Sequence, residues 1–75
     1  MAMQRHAVDS SVIREIGYDP ALRLLEVEFR TGRVYQYSDV PAGMVERLLQ
    51  ADSVGELFNR TIRTEYEYKE VTPPS

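Results

Sequence analysis

The sequence predicts a small α+β domain, in which an antiparallel β-meander of three strands is packed on one face by two short helices. Three observations predict it. Residues 25–29 alternate apolar and acidic side chains, Gly32 follows, and Val34–Tyr37 then places two tyrosines on one face of a second strand. A period of two is typical of a strand with one buried face, and glycine supplies the positive φ that closes a hairpin.

One further strand precedes this hairpin. Val12, Ile16 and Tyr18 fall on one side of an extended segment, and Asp19-Pro20 follows it. Asp hydrogen-bonds to its own backbone and Pro presets φ, so this pair predicts a turn into the central strand at residues 22–29. The three strands therefore follow one another as a meander.

Two helices are predicted after the hairpin. The first covers residues 41–50, where Pro41 suits a first turn and the apolar side chains recur at i, i+3 and i+4. The second runs from Val54 to Arg60, because Ser53 and Glu56 match a capping box. The expected core comprises nine residues: Leu25, Val27, Phe29, Val45, Leu48, Leu49, Leu57, Phe58 and Ile62.

The chain of 75 residues is expected to form one domain over residues 10–70. Residues 1–9 show no periodicity and are predicted to be a flexible leader, and residues 71–75 a disordered tail. Residues 65–69 alternate as an edge strand would, which leaves a fourth strand open.

Composition excludes several classes of function. There is no cysteine, and His6 is the single histidine, so neither a metal site nor a nucleophilic dyad is indicated. The glycines are isolated, which excludes a glycine-rich phosphate loop. No apolar run is long enough for a membrane span. We therefore expect a protein of the cytoplasm that is not an enzyme, has no cofactor and does not contact the membrane.

The charge is balanced in an unusual way. The formal net charge of −3 disfavours binding of nucleic acid by charge alone, yet eight of the nine cations are arginine. Arginine is the planar, bidentate cation suited to phosphates, carboxylates and aromatic faces. Codon usage is the simpler explanation of this bias.

Two groups of residues could form a binding site. Tyr35 and Tyr37 lie at i and i+2 of one strand, where aromatic rings can stack successive RNA bases, or can instead close the core. Asn59, Arg60 and Arg63 gather at the end of the second helix, where they could hold a phosphate or a partner's carboxylate. Capping of that helix and compensation of its dipole explain them equally well.

At these residues the chain resembles the KTSC domain family, which is named for its occurrence at the C-terminus of some lysyl-tRNA synthetases. Free-standing small bacterial members are also known. The matching segments run in the same order along the chain: Ser11 with Gly17-Tyr18-Asp19, residues 25–29, Gly32 with Tyr35-Gln36-Tyr37, Val40-Pro41, residues 51–55 and residues 58–63. The resemblance covers about residues 10–68.

The resemblance implies a binding module of undetermined function, with Tyr35 and Tyr37 as the family's central motif. RNA binding is suggested by the synthetase context. We therefore expect a non-catalytic module in which the two tyrosines stack RNA bases, while Arg60 and Arg63 contact phosphate. The alternative is a protein-interaction module or homodimer that uses a sheet edge or the surface from Asn59 to Arg63.

Overall fold

A computed structural model describes residues 5–71. Five strands and three helices follow one another along this part of the chain: β1 (Arg5–Ala7), β2 (Ile13–Asp19), β3 (Leu24–Phe29), β4 (Val34–Tyr37), α1 (Ala42–Leu49), α2 (Val54–Arg60), α3 (Ile62–Glu65) and β5 (Tyr68–Glu70).

The strands form one antiparallel sheet in the order β1-β2-β3-β4-β5, which confirms the α+β class and the meander. The hairpin turns at Gly32, whose φ is 95°, and its register pairs Val27 with Tyr35 and Leu25 with Tyr37. The strand left open in the tail exists as β5, where Tyr68 pairs with Tyr37.

Strand β1 corrects the predicted flexible leader for residues 5–7. Arg5 pairs with Gly17 of β2, which in turn pairs with Glu26 of β3. Because Gly17 has no side chain, the Arg5 guanidinium can lie across β2 and reach carboxylates on the next strand. Of the remaining leader, Val8 donates a backbone hydrogen bond to Arg14 at 3.2 Å, and residues 1–4 lie outside the described residues.

Arg5 organises the sheet face that carries no helix. Its guanidinium donates hydrogen bonds to Glu26 and Glu28 and lies 3.4 Å from Glu15. Burial lowers the pKa of Arg5, but the hydrogen bonds and charges of these glutamates outweigh it and raise the pKa from its usual value. This group, the Arg5 cluster, neutralises part of the acidic charge and fixes β1 to the sheet.

The opposite sheet face packs against the helices and forms the core. Its fully buried side chains include Ile13, Ile16, Leu25, Val27, Leu48 and Ile62. The register shifts between Ile13 and Glu15, so Ile13 faces the core and Val12 is 46% exposed. The expectation that Val12 shares a face with Ile16 is therefore wrong, because a β-bulge changes the alternation at this point.

The two predicted helices form within a residue or two of their expected ends. Ser53 caps α2, since its Oγ accepts a hydrogen bond from the backbone N–H of Glu56 at 3.3 Å. Of the nine expected core residues, Leu49 is 36% exposed because it lies at the last position of α1, beyond the buried Leu48. Phe29 and Leu57 are partly buried and the other six are buried.

A single helical turn, α3, was not predicted and follows α2 after Thr61. Its Ile62 is fully buried, and Tyr66 then leads the chain back to the sheet. Val71 donates a backbone hydrogen bond to Val34 at 2.7 Å, so the prediction of a disordered tail is wrong for this residue. Residues 72–75 lie outside the described residues.

None of these helices has the length and apolar character that a membrane crossing would require, over the described residues.

Candidate nucleic-acid interface

An open cleft of about 650 Å³ lies on the helix side of the sheet, between the end of α2, α3 and the strands β3, β4 and β5. The β3–β4 hairpin and the loop before β2 form its rim. Its lining is rich in aromatic and arginine side chains: Ser11, Val12, Phe29, Arg30, Thr31, Arg33, Tyr35, Tyr37, Phe58, Asn59, Arg63 and Tyr68. The two groups of residues singled out in the sequence therefore meet in one cleft, apart from Arg60.

Tyr37 forms the floor of the cleft and is a core residue. Its side chain is only 2% exposed, and its ring meets Phe58 edge-on at a centroid distance of 5.4 Å and an angle of 83°. A base cannot stack on a ring covered in this way. Of the two alternatives for Tyr37, closure of the core is the one that its burial favours.

Tyr35 is half-buried and stacks on Tyr68. Their centroids are 5.3 Å apart and their planes differ by 4°, while Phe29 meets Tyr35 edge-on at 5.5 Å. Tyr68 is 59% exposed and lies on the edge strand β5. The aromatic surface open to a ligand is therefore that of Tyr68, supported from below by Tyr35.

Sequence reasoning missed Tyr68 as a site residue because it belongs to a segment with ambiguous structure. The alternation over residues 65–69 was the available signal, because a fourth strand next to β4 would bring one of its tyrosines beside Tyr35 and Tyr37.

Three arginines line the cleft, and none of its lining residues is acidic. Arg30 is fixed by a hydrogen bond of 2.6 Å from its Nε to the backbone oxygen of Ser10. Arg63 lies 3.5 Å from Asn59 Oδ1 through its Nη1, one turn along the helical segment. The cleft therefore carries a local charge near +3 in a protein whose net charge is −3.

The chemistry of the cleft favours a neutral Tyr37. Burial raises the pKa of Tyr37 to about 12, with the neighbouring Tyr35 and Tyr68 adding to the rise and the positive charge of Arg63 opposing it. The phenol thus keeps its proton at neutral pH and remains able to donate a hydrogen bond to an anion.

Arg60, which the sequence grouped with Arg63, faces away from the cleft. It lies 3.6 Å from the carboxylate of Glu56 on the same helix and borders a different surface depression. Helix α2 ends at Arg60, and Thr61, with φ −121° and ψ −69°, separates it from Arg63 in α3, so the regular spacing of a single helix does not bring the two arginines together.

Within the described residues 5–71, the sheet edges proposed for strand addition are β1 and β5, each of three residues, and they carry Arg5, His6, Lys69 and Glu70. Short, charged edge strands are typical of sheets that avoid pairing with another chain. Within residues 5–71 no group of three His, Asp or Glu side chains is arranged to hold a metal ion.

Comparison with known proteins gives one consistent result. The sequence model of the KTSC domain family matches residues 9–68 of this chain. The crystal structure of a KTSC domain protein from Yersinia pestis has a TM-score of 0.89 and 40% sequence identity, covering 93% of this chain and 99% of that chain. An uncharacterized protein of Stutzerimonas stutzeri is 45% identical over 64 residues, which are 85% of this chain and 90% of the relative.

A lysine–tRNA ligase of Nostoc punctiforme is similar over one segment. It is 33% identical over 64 residues, which make up 85% of this chain but 11% of the ligase. This chain therefore corresponds to a small part of that enzyme.

Proposed function

Because this chain belongs to the KTSC domain family, we propose that it is a non-catalytic binding module whose cleft holds single-stranded RNA. In this proposal Arg63, Arg30 and Arg33 contact phosphate, and a base stacks on the exposed ring of Tyr68. Tyr35 supports that ring, and Tyr37 donates a hydrogen bond from the floor. We further propose that the protein acts in the cytoplasm, where such a ligand is found.

The segregation of charge is the observation that carries this proposal. Three arginines and no carboxylate line the cleft, whereas Glu26 and Glu28 are held by Arg5 on the opposite sheet face. Phosphate binding depends on the local cluster of guanidinium groups rather than on the net charge of the chain. Proteins that bind single-stranded nucleic acids combine aromatic rings for base stacking with a cluster of cations of this kind.

The similarity to a lysine–tRNA ligase supports RNA as the class of ligand. The ligase carries a segment 33% identical to this chain within an enzyme named for its action on tRNA. A shared segment does not by itself transfer function, so the choice of RNA depends on the chemistry of the cleft as well.

Fluorescence anisotropy with labelled single-stranded RNA and labelled tRNA tests the proposal at low and physiological salt. We expect binding that weakens as salt rises, because phosphate contacts release counterions. Tyr68→Leu removes the exposed ring and Arg63→Gln removes a cleft charge, and both should weaken binding about tenfold or more. Circular dichroism of each variant verifies that the fold is kept.

Two further substitutions separate the cleft from general charge. Arg60→Gln and Arg47→Gln each remove one exposed cation outside the cleft, so binding should change less than about twofold. Equal losses in all three arginine variants would point to non-specific attraction. Absence of binding at low salt would reject RNA as the ligand.

The alternative of a protein-interaction module or homodimer is less well supported by the short, charged edges. Size-exclusion chromatography with light scattering over a range of concentrations measures self-association directly. Association that disappears in Arg63→Gln would favour the surface from Asn59 to Arg63 as the interface.

A further inference from the structure

The cleft offers one free aromatic surface, which limits how many bases it can stack. Tyr37 is buried, and Tyr35 is covered by Tyr68 on one side and meets the edge of Phe29. Only Tyr68 among the cleft's rings is largely exposed, at 59%. Sheets that stack successive bases need one open ring for each base, so this cleft has room for one.

The size of the cleft agrees with that limit. About 650 Å³ lies within the range of roughly 300–1,000 Å³ found for sites that hold a single small molecule. A base that stacks on an aromatic side chain must first be free of its own helical stack, so we take the base to be unpaired.

The charge of the cleft exceeds what one phosphodiester needs. Arg30, Arg33 and Arg63 together supply three guanidinium groups, whereas a phosphodiester carries a single negative charge. A terminal phosphate carries about −1.5 to −2 at neutral pH and presents three acceptor oxygens. It therefore matches three arginines better, with the Tyr37 hydroxyl as an additional donor.

On the basis of the RNA-binding function proposed above, we propose that the cleft recognises one unpaired nucleotide that bears a terminal phosphate. The base stacks on the outer face of Tyr68, and the phosphate lies among the three arginines. Two sources provide this chemistry: the phosphorylated end of an RNA strand and a free nucleoside monophosphate.

Competition against a labelled, 5′-phosphorylated oligoadenylate separates these sources. The competitors are adenosine, AMP, and single-stranded oligoadenylates with a 5′-phosphate, a 3′-phosphate or no terminal phosphate, in a short and a longer form. A blunt hairpin completes the set. We expect a terminal phosphate at one end to improve competition about tenfold or more over the unphosphorylated strand, and chain length to have little effect.

Three single substitutions test which side chains provide this affinity. Tyr68→Leu should weaken binding of AMP and of the phosphorylated strand about 5- to 150-fold, the cost of losing one stacked base. Arg63→Gln should reduce the difference in affinity between phosphorylated and unphosphorylated strands, because it removes one of the positive charges that contact the terminal phosphate. Arg47→Gln should behave as the wild type.

The results distinguish this proposal from the function on which it depends. Affinity that rises steadily with chain length, regardless of the terminal phosphate, would overturn the single-nucleotide site and keep RNA binding. AMP binding without any RNA binding would keep the site's chemistry and overturn the RNA function. No binding of any competitor, or of the labelled strand, would overturn both.

Discussion

Replacement of Tyr37 by leucine should destabilise the protein strongly, because its ring is part of the core. The ring is 2% exposed and lies near three other rings: Phe58 at 5.4 Å, Tyr68 at 5.5 Å and Tyr35 at 6.5 Å. Loss of a buried aromatic side chain to alanine costs about 3–5 kcal/mol, and leucine recovers part of that volume. Each aromatic pair adds about 0.5–1.5 kcal/mol.

Because leucine refills much of the site and the volume and pair terms overlap, we expect a loss of about 2–3 kcal/mol for Tyr37→Leu, below the simple sum of these terms. The whole free energy of unfolding of a domain this small is about 4–11 kcal/mol. In such a domain each 1 kcal/mol lowers the melting temperature by about 4–8 °C, so Tyr37→Leu should lower it by roughly 10–20 °C. Thermal unfolding followed by circular dichroism measures this fall. The comparison variant is Tyr68→Leu, which removes a largely exposed ring; it loses the stacked contact with Tyr35 but little buried area, so it should cost about 0.5–1.5 kcal/mol. If both variants melt within a few degrees of the wild type, Tyr37 is not a core residue.

Two further predictions concern titration and helix packing. In an alkaline titration followed by tyrosinate absorbance, Tyr37→Phe should remove one late component near pH 12; a wild type with no late component would contradict the buried phenol. Because the unfolded chain releases this proton near pH 10, stability is full below pH 10 and falls by up to about 2–3 kcal/mol as the pH rises to 12. Gly43→Ala, where an added Cβ meets nothing within 4 Å, should stabilise α1 by about 0.5–1 kcal/mol in chemical denaturation. Gly55→Ala should give no such gain, because its Cβ would lie 3.2 Å from Ser10 Oγ; equal gains would show that this contact yields freely.

The central hairpin and the helices were predictable because their signals are local. The alternation in β3, the glycine at residue 32 and the Ser53 cap of α2 each act within a few residues, and the structure keeps all three, although the Glu56 carboxylate lies near Arg60 and not at Ser53 as the full capping box requires. Strand β1 was not predictable in this way. Arg5–Ala7 has no alternation, and its anchoring comes from carboxylates that are distant in sequence, on the other side of Gly17.

The site could be predicted in part, for a similar reason. The sequence identified both groups of residues but gave no distance between them, since their meeting depends on how α2 and α3 cross the sheet. It grouped Arg60 with Arg63 by proximity along the chain, but the helix breaks at Thr61 and the two arginines belong to different helices. Tyr68 enters the site through β5, whose pairing with β4 is a tertiary contact.

Net charge is a poor guide to the charge that a ligand in the cleft would meet, and the structure gives the physical reason. The sum of −3 combines two surfaces that a sheet keeps apart: carboxylates around Arg5 on one face, and three arginines near the tyrosines on the other. At physiological salt the Debye length is about 8 Å. Exposed charges on one face of the domain are therefore largely screened from a ligand on the opposite face. A phosphate in the cleft therefore experiences mainly its arginines. For a domain of this size, the arrangement of charge on each face is a better criterion for an anionic ligand than its isoelectric point.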